Sequence, residues 1–159
     1  MIIDAESLHF SALNEAVRAC GEKHISIKNC VGQRYIAAGL TGREIEISGT
    51  PGNALGAKLN GGAIRVLGNH KDGKPIIGNF CGTGMHGGEI YLRCEKVPAK
   101  LPAQVRAERL EKIPQGTVRA LVSRWCSLFG EQESAFTEAV YYRLTPDSEN
   151  PYRQMYAFH

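Results

Sequence analysis

The sequence has no CxxC pair, no G-K-S/T phosphate loop, no G-x-S-x-G elbow and no apolar run near the ~20 residues that span a bilayer. Each absence removes a class of protein. Without CxxC spacing, the five cysteines (Cys20, Cys30, Cys81, Cys94 and Cys126) form no recognised cluster motif. Odd in number and far apart, they read as reduced thiols in a cytoplasmic protein, not as a disulfide framework. Met1-Ile-Ile-Asp-Ala-Glu lacks a basic stretch and a long apolar stretch, so no signal peptide is expected. The formal net charge is only +3, and the charges are interspersed. No basic arm is visible, and neither nucleic acid nor a membrane is expected as a partner.

What is present is apolar material and glycine. With 43% hydrophobic residues in 159, the chain can bury a core as one domain. Glycine is over-represented, at 18 residues, and the excess lies in a repeat. Ile36 to Gly49, Leu55 to Gly68 and Cys81 to Cys94 can be written as rows in one register. Their apolar columns are Ile36/Leu55/Cys81, Leu40/Leu59/Met85, Ile45/Ile64/Ile90 and Ile47/Val66/Leu92, and one column is all glycine: Gly42/Gly61/Gly87. A period of roughly twenty residues is the mark of a stacked repeat.

The expected fold is therefore an all-β solenoid with helical caps: a short right-handed single-stranded parallel β-helix followed by C-terminal helices. Residues 1–23 read as an N-terminal cap helix, with Ser11 as N-cap and Gly21 as a left-handed stop. Residues 24–95 hold the repeats, and Gly42, Gly61 and Gly87 are structural glycines at the bends. Asn69 to Pro75 is an extra loop. Residues 96–159 read as a helical segment and docking tail. Gln104 to Lys112 is charged and helix-prone, and Thr117 to Phe129 has an apolar stripe at helical spacing. The outward residues Glu46 and Arg65 should be neighbours of opposite charge on a solvated face.

Gly82-Thr-Gly84-Met-His-Gly87 matches G-x-G-x-x-G, but a strand pattern follows it where a dinucleotide loop needs a helix. Its alignment with rows that lack the motif makes it a scaffold corner. Cys81 falls in an apolar column and Cys94 in a small-residue column, so both read as packers. His86 shares a column with Thr41 and Asn60 and reads as an exposed corner residue, suited to an interface. No second metal ligand stands at a recognised spacing from it. The tail aromatics Tyr152, Tyr156 and Phe158 are further interface candidates, since an apolar tail needs a surface to order on.

Several segments together resemble a known family. Gly32-Gln-Arg-Tyr-Ile36, Gly49-Thr-Pro-Gly-Asn53, Gly68-Asn69 and Gly82-Thr-Gly-Met-His-Gly-Gly-Glu-Ile-Tyr91 are similar to the GXGXG domain of the glutamate synthase large subunit. The tail Pro146 to Tyr152 resembles the end of the stand-alone archaeal and bacterial members. The chain joins its last two rows by a short loop where that type has more turns, so the resemblance implies a shortened member. It implies a β-helix that is a non-catalytic scaffold subunit in nitrogen metabolism. Its partners would be amidotransferase and FMN-dependent synthase-type hetero-subunits, or further copies of itself. The family's catalytic residues, FMN and iron–sulfur ligands lie in other domains, so no catalytic residue, cofactor or metal ligand is carried over. The rival is an independent small-ligand-binding protein or enzyme using the Gly82–Gly88 corner and His86.

Overall fold

Period-two alternation puts Ile25 and Ile27, Ile45 and Ile47, Ile64 and Val66, Ile90 and Leu92 on one side of their backbones. The computed structural model describes residues 1–67, 76–94, 96–98, 100–110, 117–136 and 140–147. It places those residues on strands β2 (His24–Val31), β3 (Arg43–Thr50), β4 (Asn60–Val66) and β5 (Gly87–Arg93). Strand β1 (Ile2–Asp4) and helix α1 (Phe10–Ala19) precede them; β6 (Val105–Leu110), α2 (Thr117–Phe129), a 3-10 turn (Glu133–Phe136) and β7 (Tyr141–Pro146) follow. Strands β1 to β5 pair in parallel in chain order. Strand β7 then pairs antiparallel with β5, and β6 with β7. One rung, Ile25–Ile45–Ile64–Ile90–Leu144, crosses five strands.

The connections between β2, β3, β4 and β5 hold no helix among their described residues. A helix satisfies its own backbone, and these segments must find partners elsewhere. They find them in each other. Tyr35 N–H donates to Asn53 O at 2.8 Å and Gly39 N–H to Ala57 O at 2.7 Å, while Gly56 N–H returns to Ile36 O at 2.9 Å. The next pair repeats this: Ala54 to Asn79 O at 2.8 Å, Lys58 to Thr83 O at 2.8 Å, and Gly82 back to Leu55 O at 2.7 Å. Positive φ recurs at alternate residues, 60°, 62° and 71° at Tyr35, Ala37 and Gly39, then 58°, 68° and 56° at Ala54, Gly56 and Lys58. Phe80, Gly82 and Gly84 repeat it at 61°, 77° and 68°.

The sheet is covered on both sides. On one, its isoleucines pack on Ile36, Leu55, Leu59, Cys81 and Met85 of the connections and on Leu13 and Val17 of α1. On the other, Val122, Trp125 and Cys126 of α2 pack with Tyr91, Phe136 and Tyr141. The α1 cap differs from expectation. His9, not Ser11, is the N-cap, and its side chain accepts from Ser11 N–H. The helix stops at Cys20 in an extended conformation (φ −70°, ψ 124°), so Gly21 supplies no left-handed stop.

The architecture corrects the expected one. The chain forms a mixed seven-stranded sheet with two α-helices among the described residues, not a short right-handed parallel β-helix solenoid with helical caps and C-terminal helices. Strand β1, not α1, takes the first sheet edge. At the other end, the expected helix over Gln104 to Lys112 is strand β6, and part of the expected tail is β7. The ladder they form outweighs the helix propensity of Ala107, Glu108, Arg109 and Leu110. The extra loop Asn69 to Pro75 and the tail beyond Asp147 lie outside the described residues.

Close layering makes several glycines critical, Gly62 among them. Gly62 has φ +83°, and a Cβ there would stand 2.1 Å from Arg43 O. Gly62→Ala should therefore lower stability beyond the ~3 kcal/mol that bounds most point changes. Gly42, at φ +67° with open space around it, should lose only ~1–2 kcal/mol on the same change. Denaturant melts of the two variants check the difference.

Candidate functional site

The Gly82–Gly88 corner lies between layers. The N–H groups of Gly82, Thr83, Met85, His86 and Gly87 donate to the carbonyls of Leu55, Phe80, Gly82, Leu59 and Leu59, at 2.7 to 3.2 Å. Amides already engaged cannot cradle a phosphate, and β5 follows in place of the helix such a loop needs. His86 is half-buried there. Of the glycine column, Gly42 and Gly61 have positive φ (67° and 142°), while Gly87 does not, and its nearest Cβ contact would be an ordinary 3.5 Å. The tightest backbone approaches fall at Gly62 and Gly52 instead.

The outward ladder of the sheet is a charged layer, buried from Ser26 to Tyr91 and more exposed at Arg143 and Glu108. Ser26, Glu46, Arg65, Tyr91, Arg143 and Glu108 stand opposite one another on successive strands. Helix α2 covers this face, and Glu46 is 0% exposed and Arg65 6%. Arg65 Nη1 donates to Glu46 Oε1 at 2.5 Å and Nη2 to Glu44 Oε1 at 2.6 Å, and Arg124 Nε of α2 reaches Glu46 Oε1 at 3.1 Å. Tyr91 OH donates to Glu89 Oε2 at 2.7 Å, and Arg143 pairs with Glu108. Glu46 Oε2, Arg65 Nε and Trp125 Nε1 are buried without a hydrogen bond among the described residues. Sequence reasoning found the Glu46–Arg65 adjacency but placed it in solvent. Breaking a buried ion pair leaves an uncompensated charge, so Glu46→Gln should destabilise by ~3 kcal/mol or more. Arg143→Ala, at a more exposed pair, should lose under ~1 kcal/mol. Chemical denaturation measures both.

Glu44 gives this layer a pH dependence. The Arg65 hydrogen bond, above all, holds its carboxyl below the ordinary 4.5; burial opposes this, and the charges of Arg65, His24 and Lys23 add to it. A carboxyl lowered in the folded state stabilises above its unfolded value, and that contribution disappears as pH falls through the folded one. Stability should fall as pH drops below 4.5, and Glu44→Gln should flatten that limb in melts taken across the acid range.

All five cysteines are free and buried. Burial pushes the Cys30 thiol up to about 12 and the Cys94 thiol to about 11, and raises Cys81 and Cys126 as well. A thiol held protonated is a poor nucleophile and ligand. A disulfide reagent at mildly basic pH should titrate them slowly in the native protein and at once after unfolding. Among the described residues no group of three or more His, Cys, Asp or Glu side chains could hold a metal, and no helix is long and apolar enough to cross a membrane.

The connections present a different surface. Residues 31–42, 51–60 and 76–88 contain no Asp or Glu, and they display Arg34, Lys58, Tyr35 and Phe80. Tyr35 is 48% exposed and Phe80 50%, and both sit at positive φ. A bulky residue in that region is an outlier. Nothing in the glycine pattern marked these two positions; the signal was the shared column Tyr35/Ala54/Phe80, one place before the apolar column. Tyr152, Tyr156 and Phe158 lie outside the described residues.

No protein-family model and no solved structure matches the chain. An uncharacterized protein of Methanocaldococcus jannaschii is 40% identical over an alignment of 76 positions, and the match takes in 43% of this chain and 29% of that protein. The chain thus spans under a third of the length of that relative.

Proposed function

We propose that the protein is a non-catalytic scaffold subunit of a glutamate-synthase-like complex, bringing together an amidotransferase and an FMN-dependent oxidoreductase partner in the cytoplasm. The reading rests on the resemblance of the rows to the GXGXG domain. The observation that carries it is the pair of exposed rings, Tyr35 and Phe80, held in left-handed backbone. Exposed aromatics in a strained conformation are more readily explained by contact with a partner than by stability of the lone chain. The engaged amides of the Gly82–Gly88 corner count against the rival reading, a small-ligand site built on that corner and His86. Buried, unreactive thiols suit a reducing compartment.

Left-handed backbone makes the test selective. Glycine relieves the conformational strain at these positions while it removes the rings. Tyr35→Gly with Phe80→Gly should leave the melting point within a few degrees of wild type, because relief of ~1–2 kcal/mol per residue offsets the flexibility that glycine adds. The same pair should weaken co-purification with the partner subunits from the native host, read by size-exclusion chromatography and mass spectrometry. Assembly at wild-type strength in the double variant would overturn the assignment of this surface.

A further inference from the structure

A cleft of about 500 Å³ opens where the β1–α1 turn meets the first two connections. Leu8, Phe10 and Val31 form its apolar wall. Its floor is Gln33, 6% exposed, whose side chain accepts from Val31 N–H at 2.7 Å and donates to Ala5 O at 2.7 Å and Leu8 O at 3.1 Å. Those bonds hold the floor rigid and leave Gln33 no role toward a ligand.

The remaining polar groups are donors. Arg34 stacks its guanidinium 4.3 Å from the Phe10 ring centroid, which orients the fork. His9 uses Nδ1 to accept from Ser11 N–H at 3.3 Å, so its neutral ring carries the proton on Nε2. The same bond occupies the Ser11 amide, so the attraction does not come from the end of α1. Asn53 uses Oδ1 to accept from Asn79 N–H at 2.8 Å and keeps its NH2 group. Most carbonyl acceptors of the cleft are already taken. The carbonyls of Leu8, Phe10 and Arg34 receive side-chain amides of Gln33 and Asn14. Those of His9, Gln33 and Asn53 receive backbone N–H groups. No carboxylate lines the cleft.

From this donor-rich lining without a carboxylate beside an apolar wall, we infer that the cleft binds a small organic anion, a carboxylate or phosphate carrying an apolar body. Arg34 binds the anionic head with His9 Nε2–H and Asn53 NH2 as further donors, and Leu8, Phe10 and Val31 take the body. The cleft adjoins the Tyr35 end of the aromatic surface, with the Phe10 and Tyr35 ring centroids 6.4 Å apart, but its donors are not those rings, so it is tested without the scaffold reading.

The test uses the full chain, labelled with nitrogen-15, titrated with benzoate, with phenyl phosphate and with neutral benzyl alcohol. The anions should shift amides of residues 8–11, 31–34 and 52–53 saturably, and the stronger of the two identifies the head group. Arg34→Leu should weaken the binding ~10–100-fold, and Lys58→Leu, on a connection outside the cleft, should leave it unchanged. If Arg34→Leu melts early, Asn53→Ala carries the comparison, with a smaller loss. Equal shifts with benzyl alcohol, wild-type affinity in the donor variant that stays folded, or no saturation by ~10 mM would overturn the site.

Discussion

Parallel strands in chain order need a return path, and between β2 and β5 the described part of that path holds no helix. Everything else depends on satisfying its polar groups. A returning segment without a helix leaves N–H and C=O groups that become costly once buried. The solution is to lay each return on the one before, at the ~4.8 Å spacing of the strands themselves. Donors then alternate in direction, as at Tyr35, Gly56 and Gly39. Alternating direction with a curved path sets left-handed angles at every second residue, which is what 35–39, 54–58 and 80–84 share. The G-x-G of Gly82 and Gly84 is two of these positions. It answers a backbone demand and not a nucleotide.

Stacking has ends, and each end is closed by different means. At the first, β1 adds a short edge strand, and Asn14 of α1 donates to Arg34 O at 3.0 Å, tying helix to return path. At the last, the antiparallel pair β7 and β6 carries the sheet onward, and Lys100 O accepts from Phe80 N–H at 3.2 Å. Antiparallel closure needs no further return over the core. It lets α2 lie on the opposite face and bury the ladder at Glu46 and Arg65.

The sequence made the register legible because one face demands it. A slip of one residue would expose Ile45, Ile64 and Ile90 together, and those three do stand opposite one another. The ends were not legible. Val105 to Leu110 reads helical by propensity, and only its pairing with Tyr141 to Pro146, some 36 residues on, makes it a strand. The burial of Glu46 was hidden for the same reason: charge suggests solvent until α2 is known to cover the ladder. Val122 and Trp125 advertised an apolar face on α2 but not its target. Of the candidate site, the glycine-rich corner was visible, whereas Tyr35, Phe80 and the His9–Arg34–Asn53 cleft arise from distant segments brought together.

Most polar groups in this fold are occupied holding layers together, and that narrows where recognition can occur. The centre of the charged layer is internal, and the Arg65 guanidinium serves Glu44 and Glu46. The cysteines are sealed, and the amides of the corners bind other corners. The charged side chains that face outward on the returns, Arg34 and Lys58, are cationic, while the carboxylates of this part of the sheet, Glu44, Glu46 and Glu89, lie on its strands. Ala54 separates the rings of Tyr35 and Phe80 in the stack, so they stand two layers apart, roughly 10 Å. A pair of rings at that separation would offer the proposed partner two anchors with a shallow step between them. Rigidity is the useful property: the ladder that forces left-handed angles on Tyr35 and Phe80 also restricts the backbone freedom that a contact would otherwise have to remove.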